Sequence, residues 1–462
     1  MAYGKIREKE ILNVTSGPML KKMILFGIPV ILSGILQQAF NTADNIVVGR
    51  YAGADALGGV TATASLTNLI ICLFIGLSVG ASVAISQAIG ARNESEANSL
   101  AHTAIATAIY SGIVVGIVGF FISKPILELM GTPKENIGYA TKYMKIYFCG
   151  APFVLLYNFG SGILRTMGDT KRPLIYLAIG GVANVILNLI FVIGFKMDTD
   201  GVATATVISN VISSSLVLYT LIKSDNCCRI YPNEIRINYK KFKKIMALGI
   251  PAGIQSAMFS LSNVVMQSSI NFFGSSAVAG NGAALTIEMY GGFVAEGFAS
   301  AGMTFAGQNT GAKKYKRLKT VFYQSNLLGM LITLTLSAIV IPLRHILVGL
   351  FITDSAEAVR IGCERLVWIF SGHFLATAMT VSSGCLKGMG KSFSSMIVSV
   401  FGVCVLRIVW IMTVFKLYPT LNVVYTVYPL TWIITTAALC VIFVLTYKNA
   451  VAGKTDAGYK QN

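Results

Sequence analysis

The chain has 462 residues, of which 54% are hydrophobic and only 12% charged, with a formal charge of +18 and a mean hydropathy of +0.69. A soluble protein carries about 25% charged residues, so a water-soluble enzyme or binding module is excluded and a polytopic protein of the lipid bilayer is expected. The basic excess does not mark a nucleic-acid partner, because Lys and Arg crowd into alternate loops between apolar segments, which is the positive-inside pattern of membrane insertion.

In chain order, segments long enough to cross a bilayer, about 20 residues each, fall at 22–49, 56–86, 98–122, 137–160, 173–195 and 201–222. They continue at 245–270, 277–305, 319–342, 358–383, 393–415 and 421–446. The predicted fold is all-α and integral to the membrane. Residues 1–222 form one six-helix lobe and 245–462 a second with a short cytoplasmic tail. The stretch 223–244, polar, basic and carrying Pro232, is the cytoplasmic linker, expected to be a loose tether. The first apolar run is long and no small-residue cleavage site follows a short one, so it is read as a span rather than a signal peptide. Pro29, Pro152 and Pro251 fall inside spans, as membrane helices permit where neighbours satisfy the freed backbone. One side of the membrane collects 26 Lys and Arg, among them Lys5, Arg7, Lys9, Lys454 and Lys460 of the tails. The other collects six: Arg50, Lys124, Lys134, Lys196, Arg344 and Lys416. Both termini are therefore expected in the cytoplasm.

The chain repeats itself. Gly27-Ile28-Pro29 returns 222 positions later as Gly249-Ile250-Pro251, and Gln87-Ala88-Ile89-Gly90-Ala91 returns as Gln308-Asn309-Thr310-Gly311-Ala312. Ser161 to Gly168, with Leu164-Arg165-Thr166-Met167-Gly168, returns as Ser383 to Gly390, with Leu386-Lys387-Gly388-Met389-Gly390. Six spans per half is an even number, so both halves enter from one face. They should be related by a pseudo-two-fold along the membrane normal, the parallel-repeat arrangement that suits alternating access.

Asp44 is the exceptional residue. No Lys or Arg lies between Lys22 and Arg50, and an acid at the bilayer centre costs about 2.5–3.5 kcal/mol on insertion scales. Asn184 and Asn188, four apart, share a helix face. At 1.5 Å per residue Asp44 lies roughly 9 Å and Asn188 roughly 12 Å from the outer ends of their spans, and Thr206 lies at a similar depth. One carboxylate with amide and hydroxyl oxygens suits a small alkali ion such as Na⁺, while the same carboxylate out of water could instead carry a proton. A hydrogen bond gluing two helices is the alternative use of such residues. Glu288 and Glu296, eight apart in one span, could line a broad face that attracts cations, or pair with Arg407, the lone basic residue of 393–415. Gln37, Gln38 and Asn41 are read equally as cavity lining or interhelical bonds, and Met258, Met266 and Met303 chiefly as packing. His102 and His373 are assigned nothing. The eight cysteines have no metal-ligand spacing and no secreted disulfide framework, and Cys227-Cys228 sits where thiols stay reduced. No Gly-Lys-Ser/Thr follows the Gly-rich motifs, so no nucleotide drives the protein.

Taken together, Gly27-Ile28-Pro29, Asp44 to Gly49, Gln87 to Ala91, Leu164 to Thr170 and Gly307 to Ala312 resemble the multidrug and toxic compound extrusion transporters, most of all the DinF-like branch. The match runs over about residues 20–450. The resemblance implies a multidrug efflux antiporter that exports amphipathic, often cationic, drugs against inward Na⁺ or H⁺. It needs no other cofactor and works as a monomer in the bacterial cytoplasmic membrane. It also implies that Asp44 is the coupling carboxylate, that Pro29 marks a point of helix bending, and that Tyr143 and Thr206 are partners in the cation site. The family pattern of Asn, three residues, then Asp reads Asn184-Val185-Ile186-Leu187-Asn188 here, one negative charge fewer, which leaves Na⁺ and H⁺ both open. The rival readings are a lipid-linked saccharide flippase, which needs basic residues deep in a cavity, a membrane-embedded enzyme, which needs a nucleophile or metal cluster that the sequence does not show, and a channel.

Overall fold

The computed structural model describes residues 14–353 and 355–453, so the basic residues Lys5, Arg7, Lys9, Lys454 and Lys460 lie outside it. The described residues form twelve helical segments, six in each half of the chain. In the first half these are α1 (Met19–Val47), α2 (Ala54–Gly90), α3 (Glu94–Leu129), α4 (Lys134–Cys149 and Ala151–Thr166), α5 (Lys171–Asn188, continued as a π turn over Leu189–Gly194) and α6 (Thr199–Lys223). The second half has α7 (Tyr239–Asn271), α8 (Ser275–Gly311), α9 (Tyr315–Gly349), α10 (Ala356–Gly388), α11 (Ser392–Ser399, carried on through π turns to Phe415) and α12 (Leu421–Val451). Ten of these are long and apolar enough to cross a membrane alone, and the two pieces of α4 make an eleventh. The remaining one, α8, is rich in small residues and carries Glu288 and Glu296. Large apolar side chains such as Ile113, Val114 and Phe121 of α3 and Leu327 and Leu331 of α9 are exposed, as a lipid-facing surface requires.

The span read as continuous over 137–160 is bent by 49°. Pro152, in the first turn of its second piece, has no amide hydrogen to give to the preceding turn. Glycines of α3 accommodate the bend. A methyl group on Gly112 would lie 2.4 Å from Pro152 Cα, and one on Gly119 would lie 2.3 Å from the Phe148 ring.

The chain packs as two units. One comprises Leu32–Ile89 and Asn93–Gly253. The other takes Val14–Ile31, Gly90–Arg92 and the described residues from Ile254 onward. In the first unit, α2 and the opening turns of α7 cross at four glycines. A methyl on Gly76 would sit 2.1 Å from the Gly253 nitrogen, and one on Gly80 2.4 Å from the Ile245 carbonyl oxygen. Gly76 and Gly80, like Gly249 and Gly253, are four apart, the small-xxx-small spacing that brings membrane helices to backbone contact. The second unit repeats the theme with α1 and α8, where Gly297 faces Ile31 and Gly27 faces the Phe298 ring.

The linker is not loose. Cys228 and Ile230 are fully buried in the core of the first unit, with Leu100, Ile105 and Leu221. Asn98 of α3 donates to the Arg229 carbonyl at 2.9 Å and to that of Cys227 at 3.3 Å. His102 Nδ1 donates to the Asn98 carbonyl at 2.9 Å, so Nε2 is free to accept the Tyr231 amide hydrogen, also at 2.9 Å. Glu96 pairs with Lys241 and Lys244, and Asn238 caps α7 through the Lys240 and Lys241 amides. His102, assigned nothing from the sequence, is therefore a clamp on this segment. In His102→Leu the Tyr231 amide loses its acceptor, a loss of about 1–3 kcal/mol, and trypsin should cut at Arg229 or Arg236 several-fold faster than in the parent. Equal cleavage rates on a gel time course would show that the other contacts suffice.

Candidate functional site

Four predicted residues of the first unit meet in one hydrogen-bonded chain. The Asn188 amide donates to Asp44 Oδ1 at 2.6 Å and to Asn184 Oδ1 at 3.3 Å. The Asn184 amide donates to Thr206 Oγ1 at 3.4 Å, which itself donates to the Val202 carbonyl at 2.9 Å. Asn184 and Asn188 stack on one face of α5, as their spacing requires, and two neighbouring glycines bring the flanking helices close. Phe40 of α1 lies over Gly181, and Ser213 of α6 lies over Gly180. The α-helical geometry of α1 ends at Val47 and that of α5 at Asn188, each passing into a π turn, a feature frequent where helices carry function. Tyr143 stands beside this chain. It is an electrostatic neighbour of Asp44, its ring stacks on Tyr147, and it packs against Val47, Val48, Val192 and Val202.

Asn188 is fully buried. Its amide hydrogens are directed at oxygens, and its own Oδ1 has no protein hydrogen-bond donor. With the Asp44 carboxylate this makes a set of hard oxygen atoms around a single negative charge, which fits a small alkali ion or a proton and does not fit a soft transition metal. Among the described residues no group of three or more His, Cys, Asp or Glu side chains gathers anywhere.

The second unit holds Glu288, Glu296 and Arg407, with one correction. Glu288 does not pair with Arg407. Its Oε2 accepts from Arg365 Nη2 at 2.6 Å. The reason is backbone proximity: α8 and α10 touch at Gly280, where a methyl would lie 2.3 Å from the Ala358 carbonyl oxygen, about two turns before Arg365 on the same helix. Arg407, on α11, turns instead to α12. Its guanidinium lies 4.3 Å over the Tyr428 ring, and its Nε donates to Thr431 Oγ1 at 3.4 Å. Glu296 is exposed and interacts electrostatically with Lys387 rather than with this cluster. Gln37 and Asn41 are exposed along α1. Pro29 is buried, and the passage of α1 from one packed unit to the other falls between Ile31 and Leu32, just after it. The passage of α7 falls between Gly253 and Ile254, just after Pro251.

Arg365, Tyr425 and Tyr428 were not singled out from the sequence. Arg365 is one of the few basic residues left inside a span, 358–383, and tyrosines are of a type that membrane helices commonly carry. The signal that could have found them is the internal repeat, since Arg365 is 222 positions beyond Tyr143 and Tyr428 is 222 beyond Thr206.

A family model, MatE, matches residues 29–190 and again 251–413. The "Probable multidrug resistance protein YpnP" of Bacillus subtilis is 28% identical over 397 residues, covering 86% of this chain and 88% of that protein. The "Probable multidrug resistance protein YoeA" of the same organism is 29% identical over 391 residues, covering 83% and 84%. Among solved structures, the outward-facing conformation of a multidrug resistance MATE transporter of the MOP superfamily superposes with a TM-score of 0.88 at 24% identity. It covers 98% of this chain and all of the other.

Proposed function

The chain belongs to the MatE family, and from that premise we propose that it is a secondary active multidrug exporter. It moves amphipathic, often cationic, organic compounds out of the cell in exchange for inward Na⁺ or H⁺ taken up at Asp44. It sits in the cytoplasmic membrane with both termini inside. The observation that carries the reading is the Asp44–Asn188–Asn184–Thr206 chain, an ionisable oxygen cluster inside a membrane bundle in a protein whose relatives bear multidrug-resistance names.

The residues do this as follows. The coupling ion is cargo that binds and leaves once per cycle. Asp44 supplies the charge that it neutralises, and Asn188 Oδ1 supplies a buried oxygen with no competing donor. Asn184 and Thr206 hold the Asn188 side chain in place. Neutralising Asp44 removes the charge that strengthens its 2.6 Å bond to Asn188, so α1 and α5 are held differently in the loaded and empty states. Pro29, beside the point where α1 changes packing partner, is the place where α1 bends between them. One charge moving through 100 mV supplies about 2.3 kcal/mol, and this drives export only if ion and drug favour different conformations.

Purified protein in liposomes, loaded with ethidium and given either a Na⁺ gradient at constant pH or a pH gradient without Na⁺, tests the reading. At least one gradient should drive dye movement well above that of empty liposomes. Movement unaffected by both gradients would refute ion exchange.

A further inference from the structure

The internal repeat sets two polar clusters at corresponding places in the two halves of the chain, with the charge reversed. In the first half the positions are Asp44, Tyr143 and Thr206. In the second the same shift of 222 gives Met266, Arg365 and Tyr428, and Arg407 corresponds to Val185, the neighbour of Asn184. One half keeps a lone acid among neutral oxygens. The other keeps two arginines, both at most 5% exposed, and an arginine is charged at any physiological pH. Glu288 is the only carboxylate among the described residues within ion-pair distance of either one. One positive charge is therefore left over in the interior of the second unit, where neutral side chains would cost less.

The donors around that charge are also left over. Arg365 spends Nη2 on Glu288, but its Nε and Nη1 are buried without a protein acceptor, and so is the Tyr425 hydroxyl. The guanidinium of Arg365 lies 5.7 Å from the Tyr425 ring centre and 5.3 Å from that of Tyr428, with Arg407 on the latter ring as well. Fork-shaped N–H donors with no acceptor, a phenol hydroxyl and flat aromatic faces are the elements that recognise a carboxylate carried on a planar ring.

We propose that Arg365, Arg407, Tyr425 and Tyr428 form an anion-accepting site in the second unit that takes the carboxylate of an aromatic organic acid, with Glu288 holding Arg365 in place until the ligand arrives. This deepens the export reading by adding carboxylate-bearing compounds to the cargo, and it rests on that reading only for treating the ligand as cargo. Binding itself stands on the cluster alone.

The test is calorimetric titration of the full-length protein in detergent with 2-naphthoate, with the uncharged isostere 2-naphthamide, and with chloride. The acid should bind at least tenfold tighter than the amide. Arg407→Gln should remove most of that preference, and Tyr425→Phe should weaken the acid several-fold. Glu288→Gln, which removes the competing carboxylate, should strengthen it. Arg365→Gln leaves Glu288 unpartnered and can fail to fold, so the milder variants Arg407→Gln and Tyr425→Phe decide the matter. Equal affinity for acid and amide, or acid binding that survives Arg407→Gln and Tyr425→Phe unchanged, would overturn the site. Chloride binding with the same Arg407 dependence and no preference for naphthoate would overturn the aromatic ligand. Asp44→Asn should leave naphthoate affinity within twofold. Ethidium movement that fails with naphthoate binding intact removes the export reading alone, and the reverse removes this one alone.

Discussion

Asp44→Asn abolishes gradient-driven ethidium movement in liposomes while the protein is made and folds as well as the parent. The amide keeps the size of the side chain and can still meet Asn188, which now lies 2.6 Å from the carboxylate. Only the ionisable charge is lost. A neutral group in the bilayer is cheaper than an acid by up to about 3 kcal/mol on insertion scales, so yield and melting temperature should hold or rise while transport falls to the level of empty liposomes. That combination, a sounder protein that no longer works, separates a coupling carboxylate from a helix-gluing one. If Asp44 merely glued α1 to α5, Asn would glue them at least as well and dye movement would persist. Persistence at the parental rate would sink the coupling role.

The second large effect is expected at Gly76. Its hydrogen points at the backbone of Gly253, where a methyl would lie 2.1 Å from nitrogen and 2.2 Å from Cα. No rotamer relieves a clash with main chain, so Gly76→Val forces α2 and α7 apart along a contact that also includes Gly80 and Gly249. Overpacking in a close-packed core costs about 1–3 kcal/mol. Here it falls on backbone, and the loss should lie at or above the upper figure. It would be seen as a drop of several degrees in melting temperature and loss of the monodisperse peak on size exclusion. Gly138→Ala supplies the control. Gly138 lies in α4 with nothing within 4 Å of an added methyl, and Ala is favoured over Gly in a helix by about 0.5–1 kcal/mol. A Gly76 variant that melts with the Gly138 control would show that the crossing has more room than its distances indicate.

The two substitutions also mark what the chain discloses before it folds. Span positions were legible because a bilayer demands about 20 apolar residues in a row, and that requirement is written in composition alone. The meeting of Asp44, Asn188 and Thr206 could be anticipated because depth along a helix is a linear count at 1.5 Å per residue. Other features were hidden because they depend on which helix faces which. The sequence offered Arg407 as the basic partner of Glu288, and only the glycine contact between α8 and α10 gives the acid to Arg365 instead. The tie between His102 and Tyr231 joins residues 129 apart, and no local pattern announces it. The break in α4 was half visible, since Pro152 is plain in the sequence, but the bend depends on Gly112 and Gly119 making space on α3. Small residues in membrane helices reveal that something will come close without naming the partner.

The docked linker and the split allegiance of two helices bear on how this polypeptide could be divided. A gene severed after Lys223 would strip the front fragment of residues 224–253, which belong to its own packed unit. It would also deny the rear fragment Val14–Ile31 and Gly90–Arg92, which belong to its unit. Neither fragment would own a complete interior. Each would have to borrow the missing pieces from the other, so the two could function only by complementation, produced in the same cell and threaded together during insertion.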